Sequence, residues 1–94
     1  MPFDLQFLPS ALKEWEKLGA PVRAQFKTKL AERLEYPRVP KDALHGMRDH
    51  YKIKLRDAGY RLVYRVEDAI VTVTVVAVGR RHRSQVYRDA ARRE

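Results

Sequence analysis

The stretch Ile70 to Val78 constrains this chain most. It is rich in β-branched residues and apolar on both faces, as expected of a central strand of a sheet. Gly79 ends it. Two earlier segments alternate with a period of two, the signature of half-buried strands. In the first, Tyr51, Ile53 and Leu55 alternate with Lys52, Lys54 and Arg56; in the second, Tyr60, Leu62, Tyr64 and Val66 alternate with Arg61, Val63 and Arg65. They form a hairpin whose register follows from parity, because directly opposed residues share a face. Ile53 and Leu55 join Leu62 and Tyr64 on one face only if the loop around Ala58-Gly59 has an even length, roughly two or four residues. The pairing taken here sets Lys54 opposite Val63, Arg56 opposite Arg61 and Lys52 opposite Arg65. One face of the hairpin then packs on helices and the other carries a field of cations.

The first part of the chain is helical after a short strand. Phe3, Leu5 and Phe7 alternate with Asp4 and Gln6. Pro9 and Ser10 open a helix with Leu12, Trp15 and Leu18 on its inner side, and Gly19 is the expected stop. Pro21 suits the first turn of a second helix. Val22, Phe26, Leu30 and Leu34 form its buried stripe, which runs to about Tyr36 before Pro37 and Pro40. Residues 38–49 read as an ordered loop with a short extended piece, and His45 and His50 as ordinary loop residues. Ser84 is placed to cap a last helix through about Arg93. The fold class is α+β: a small antiparallel β-sheet packed against an N-terminal helical hairpin, with a short C-terminal helix. All of residues 1–94 form one domain, which has little stability to spare at this size.

Charge narrows the partners. Twenty Lys and Arg against twelve Asp and Glu leave +8. Met1 to Met47 holds eight basic and six acidic residues, and Arg48 to Glu94 holds twelve and six, so the excess sits in the second half. Such a surface suits a polyanion, an anionic membrane or an acidic protein, and a merely solvated surface is the plain alternative. There is no cysteine, which excludes disulfides and thiolate metal sites. No stretch approaches the roughly twenty apolar residues that span a bilayer. The start, Met1-Pro2-Phe3-Asp4, lacks the pattern of a signal peptide. The expected location is the cytoplasm, with no membrane partner.

The chemistry on offer is that of charge and position. The three histidines, at 45, 50 and 82, have no zinc-like spacing, and no two-metal carboxylate pattern appears. No metal and no cofactor is expected. There is no Gly-rich phosphate loop and no Gly-x-Ser-x-Gly elbow. RNA brings its own nucleophile, the 2′-hydroxyl. A protein that aligns it with the adjacent phosphate needs a base, an acid for the leaving 5′-oxygen and cations for the charge that develops. Nearby cations favour a phenolate, so a tyrosine among arginines and lysines is an acid–base candidate. Many RNA-binding domains also mix basic and aromatic residues without doing chemistry.

Several segments, in order, resemble the RelE/ParE toxin superfamily, and its RelE branch in particular. They are Ala11-Leu12-Lys13-Glu14-Trp15, Leu44-His45-Gly46-Met47, Tyr51-Lys52-Ile53-Lys54-Leu55-Arg56, Gly59-Tyr60-Arg61-Leu62-Val63-Tyr64 and Val78-Gly79-Arg80-Arg81-His82-Arg83-Ser84-Gln85-Val86-Tyr87. The resemblance implies the toxin of a type II toxin–antitoxin system, an endoribonuclease that cuts mRNA in the ribosomal A site. It implies catalytic positions at Lys52, Lys54, Arg61, Arg81 and Tyr87. Tyr87 would take the 2′-hydroxyl proton, Arg81 would assist the leaving 5′-oxygen, and Lys52, Lys54 and Arg61 would hold the phosphate. Where that family leads one to expect an arginine and an acidic residue, this chain has His45 and His82. Arg56, Arg65, Arg80, His82 and Arg83 are the expected contacts to RNA and ribosome.

On residues alone, Lys52 and Lys54 also fit a solvated strand face, and Tyr87 a core tyrosine at a helix start. Tyr60 and Tyr64 are assigned to packing, and Arg92 and Arg93 to a solubilising tail. The expected partners are ribosome, mRNA and a RelB-like antitoxin with an acidic amphipathic segment. That segment would neutralise the basic face or displace the helix from Ser84 to Arg93. Operator DNA is expected only for the toxin–antitoxin complex. The alternatives are a non-catalytic gyrase inhibitor of the ParE kind, a plain nucleic-acid-binding module, and a nuclease that needs no ribosome.

Overall fold

The computed structural model describes residues 2–80, 82 and 85–94. In chain order it has β1 (Asp4–Phe7), α1 (Pro9–Glu16), α2 (Ala20–Glu35), β2 (His50–Leu55), β3 (Tyr60–Glu67), β4 (Thr72–Arg80) and α3 (Gln85–Arg93). Single turns of 3-10 helix lie at Pro40–Asp42 and Asp68–Ile70. Ser84, the expected cap of α3, lies outside the described residues.

The strands form one sheet in the order β1-β4-β3-β2, so β4 is interior. It starts later than expected, because Val71 takes a left-handed backbone with φ of 50° and Ile70 is exposed. It also continues through Gly79 to Arg80. The sheet is mixed, not antiparallel throughout: β1 runs parallel to β4. Tight connections force β2, β3 and β4 into an antiparallel meander. Long stretches of chain separate β1 from β4, so no turn dictates their relative direction.

The hairpin keeps the expected parity but slips by two residues from the pairing derived above. Lys54 faces Arg61, Lys52 faces Val63 and His50 faces Arg65. A four-residue turn, 56–59, closes it. Gly59 there has φ of 72°, a left-handed conformation that suits glycine, and its N–H donates to the Leu55 carbonyl at 2.8 Å. His50 belongs to β2 and is buried, not a loop residue.

Two cores lie on opposite faces of the sheet. The larger joins Ala11, Trp15 and Leu18 of the first helical region and Phe26 and Leu30 of α2 to Ile53, Leu55, Leu62, Tyr64, Val73 and Val75. Leu12 is not part of it: it is exposed, and Ala11 takes the inner position. Gly19 has an extended backbone, so it is the N-cap of α2 and not the left-handed stop of α1. The smaller core lies under α3 and holds Val63, Val76, Ala77, Val86 and Ala90. A register shift between Val63 and Tyr64 pairs Val63 with Ala77 and Tyr64 with Val75, leaving Val76 as the extra residue. This bulge resets the alternation, so that Val78 faces the same core as Val73 and Val75.

Side chains complete the fold at two edges. Pairing of β1 with β4 ends at Val75. Beyond it, Glu14 Oε1 accepts the Val78 N–H at 3.1 Å and Arg93 Nη1 donates to the Val76 carbonyl at 2.8 Å. The two side chains also pair with each other at 2.8 Å. Near edge strand β2, Arg33 of α2 donates to the Lys52 carbonyl at 3.2 Å, to Tyr64 Oη at 2.8 Å and to Asp42 at 2.6 Å. Tyr64 in turn donates to the Pro37 carbonyl at 2.6 Å. Burial pushes the Tyr64 phenol above its ordinary value, which the Arg33 hydrogen bond offsets in part. The phenol therefore keeps the hydrogen it gives to Pro37.

Tyr64→Phe leaves the Pro37 carbonyl and one Arg33 N–H without their partner, and should cost about 1–3 kcal/mol in urea unfolding. Phe26→Ala empties a fully buried site under α2 and should cost about 3–5 kcal/mol, enough to populate unfolded chain at ambient temperature.

Candidate active site

The hairpin meets α3 through Arg61, where β3 and β4 lie under that helix. Arg61 pairs with Lys54 on one side and with Gly79 on the other. It points to the face covered by α3. Tyr87 lies in the first turn of that helix and packs against the smaller core. Arg61 Nη1 donates to Tyr87 Oη at 2.6 Å. The guanidinium carbon is 5.6 Å from the ring centre, which sets the cation at the hydroxyl end of the tyrosine.

Gly79 makes this approach possible. A Cβ there would stand 3.0 Å from Val86 Cγ2, so any side chain would push against α3 one residue before Tyr87. The hydrogen atom in its place lets the helix settle on the sheet and bring the phenol to Arg61.

Lys54 lies below its ordinary lysine value. Like charge on Lys52 is the main cause, followed by Arg61, burial and Arg56, while Asp42 opposes them. Opposed like charges on neighbouring strands are unfavourable in themselves. The Lys54–Arg61 pair therefore maintains a positive potential at a cost to the fold. Lys52 is held by its backbone, since its carbonyl accepts from Arg33. Loop residues Leu44, His45, Gly46 and Met47 face Tyr87, Arg88 and Ala91 of α3 across a groove of about 550 Å³. His45 therefore sits beside the candidate site, which its reading as an ordinary loop residue does not foresee.

The remaining expected contacts divide. Arg56 is exposed in the hairpin turn. Arg80 is exposed and stacks on Tyr60 at 5.3 Å, on the opposite face of the sheet from Tyr87. His82 is exposed. Arg81 and Arg83 lie outside the described residues. Arg65 departs from the expectation of a free RNA contact: it pairs with Glu67 at 2.7 Å and with Glu94. Two carboxylates on one guanidinium leave little charge to offer a phosphate. Arg93 is likewise no free tail residue, being held by Glu14. Sequence reasoning also missed His50. Its Nδ1 is 2.7 Å from the Arg48 carbonyl and its Nε2 is 2.9 Å from Glu94 Oε1. No periodicity signals that contact, because Glu94 reaches it across the sheet from the end of α3.

Among the described residues, no group of three or more His, Cys, Asp and Glu side chains is placed to hold a metal ion. No helix of the described chain is long and apolar enough to cross a membrane.

The chain is similar to known proteins along almost its whole length. Residues 5–85 match the family described as the ParE toxin of the type II toxin–antitoxin system, parDE. The sequence is 56% identical over 93 residues to the mRNA interferase toxin RelE of Escherichia coli K12, covering 99% of this chain and 98% of that protein. Among solved structures, a free-state mutant of E. coli toxin RelE superposes with a TM-score of 0.91 at 54% identity, covering 99% of this chain and 98% of the other. The E. coli RelBE toxin–antitoxin complex matches with a TM-score of 0.83 at 56% identity, over 86% of this chain and 99% of the matched one. On this fold and these matches, the chain belongs to the RelE/ParE toxin superfamily of type II toxin–antitoxin systems.

Proposed function

We propose that this chain is a toxin with endoribonuclease activity, cutting mRNA in the ribosomal A site and so stopping translation in the cytoplasm. The observation that carries this reading is the 2.6 Å contact between Arg61 and the Tyr87 hydroxyl, with Lys54 directly across the hairpin. A phenol and two cations stand side by side, the groups that a base and a phosphate clamp require. The likeness to mRNA interferase RelE along the full chain supports it.

The reaction requires no external nucleophile. The 2′-oxygen attacks the adjacent phosphorus as its proton passes to the Tyr87 oxygen. The bond from phosphorus to the 5′-oxygen breaks, leaving a cyclic 2′,3′-phosphate on one fragment. Arg81 assists the departing 5′-oxygen, as proton donor or as a neighbouring positive charge. Lys52, Lys54 and Arg61 offset charge that grows on the phosphate oxygens, which is the largest lever available to a site built from cations. The Arg61 guanidinium stands at the atom that is negative when it acts as base. The partner that holds this activity in check is an antitoxin with an acidic amphipathic segment. It would cover the cations or displace α3 and carry Tyr87 away from Arg61.

In single-turnover cleavage on programmed ribosomes, Tyr87→Phe should slow the reaction by about 10²–10⁴, the usual worth of a positioned acid or base. Arg61→Ala and Arg81→Ala should each slow it by about 10² or more. Wild-type protein that arrests growth while leaving mRNA ends unchanged and inhibiting DNA supercoiling would replace this reading with the gyrase-directed one. Lys54 offers a separate check. Bound phosphate opposes the like charges that depress it, so its amine should titrate at higher pH with a non-cleavable RNA bound to the ribosome complex than in free protein. Selectively labelled lysine observed by NMR reads the change.

A further inference from the structure

A second basic surface adjoins the candidate active site. A groove of about 380 Å³ runs between α2 and edge strand β2. Lys29 and Arg33 line it from α2, Lys41 and Asp42 from the 3-10 turn, and Lys52, Lys54 and Arg56 from β2 and the hairpin turn. Its one carboxylate, Asp42, is already paired with Arg33 at 2.6 Å. The other cations of the groove face no second acid among its lining residues. Their crowding is felt at Lys54, where Lys52 and Arg56 add to the like charge. Such a cluster on one strand edge works against the fold, so its persistence calls for an anion.

We infer that this groove holds phosphates of the message strand next to the one that is cut, with Lys29 and Lys41 as binding residues outside the catalytic set. The inference rests on the nuclease reading above. Lys52 and Lys54 belong to both surfaces, so an RNA strand with its reacting phosphate beside Lys54 and Arg61 has a continuous cationic path along β2. Lys52 and Lys54 are two residues apart on an extended strand, a step of about 6.6 Å, comparable to the step between neighbouring phosphates of a stretched RNA chain. The shape of the lining also selects the partner. Apart from Ile53 no apolar side chain lines the groove, so an amphipathic protein segment would find charge there but nothing to bury. Lys29 and Lys41 are exposed and take part in neither core, so they can be changed without disturbing the fold.

The test uses programmed ribosomes and the full chain, with Lys29→Gln, Lys41→Gln and the double variant. Messages carry either normal phosphates or a single uncharged methylphosphonate linkage one or two positions to either side of the cleaved bond. The double variant should raise the protein concentration for half-maximal cleavage about tenfold on the normal message, as expected for lost phosphate contacts, with the maximal rate unchanged. On the message whose neutral linkage lies in the groove, wild-type protein should weaken by a similar factor and the double variant should lose little more. That coupling identifies message phosphate as the occupant. Equal weakening of the double variant on every message would assign the lysines to ribosomal RNA and overturn the inference. Unchanged cleavage with weakened antitoxin binding would assign the groove to the protein partner and overturn it as well. Absence of cleavage by wild-type protein on the normal message would instead remove the nuclease reading itself.

Discussion

The contact between Glu14 and Arg93 is the one on which the geometry of the site depends. A strand buried on both faces must be covered on both, and β4 is covered by elements that come from opposite ends of the chain. α1 lies over one core and α3 over the other, and β1 is too short to pair with all of β4. Where β1 stops, Glu14 and Arg93 meet across the open edge and occupy the Val78 N–H and Val76 carbonyl that a longer strand would have used. A single ion pair therefore closes a sheet edge and ties down the end of α3. The pair is partly sheltered and shares its hydrogen bonds with the backbone, which sets it apart from an exposed surface bridge of little worth. At the same end of the helix, Glu94 reaches Arg65 and His50.

Those anchors hold one end of a helix whose other end carries Tyr87. The helix buries only Val86 and Ala90, small side chains that contribute modestly by area. Polar contacts of Arg93 and Glu94 add to this packing at its C-terminal end. The Arg61–Tyr87 contact is thus set by the sheet and by the helix laid on it. Gly79 marks the place where the two come closest. The electrostatics also divide. Several acids near the sheet are held by structural arginines, Glu14 by Arg93, Asp42 by Arg33, and Glu67 and Glu94 by Arg65. Among the described residues, Lys52, Lys54 and Arg61 form no ion pair, and at Lys54 the like charges outweigh Asp42.

Much of this was legible in the sequence, and the limits are instructive. Period-two alternation at 51–56 and 60–66 showed which residues share a face, because that depends only on the pleat. It did not fix the register, because a two-residue slip preserves every face and changes only the turn. That slip matters, since it sets Lys54 rather than Arg56 opposite Arg61. The apolar run at 70–78 revealed an interior strand but hid the bulge at Val76, which any alternation among uniformly apolar residues conceals. β1 was visible as a strand, yet its parallel direction was not, for no local turn encodes it. Within the candidate site, parity placed Lys52, Lys54 and Arg61 on one face beside other cations, and only the family resemblance singled them out. Tyr87 required the family resemblance, because a tyrosine opening a helix looks the same whether it is core or base.

Charge was the least legible quantity. Counting cations gives Arg65 and Arg93 the same weight as Lys54, although two of the three are neutralised by acids far away in sequence, Glu94 across the sheet and Glu14 from the first helix. The converse effect hides Lys29 and Lys41, the binding residues inferred above. They sit on the solvent side of an ordinary amphipathic helix and in a Pro-flanked turn, where a lysine signals solubility. Only the packing of α2 against the edge of β2, fixed by the reach of Arg33 to the Lys52 carbonyl, brings them to the same groove as the strand lysines. Under the proposed function, the use of a cation is set by what the fold denies it. It becomes available to a phosphate when the acids within reach have already been taken by the arginines that hold the scaffold together.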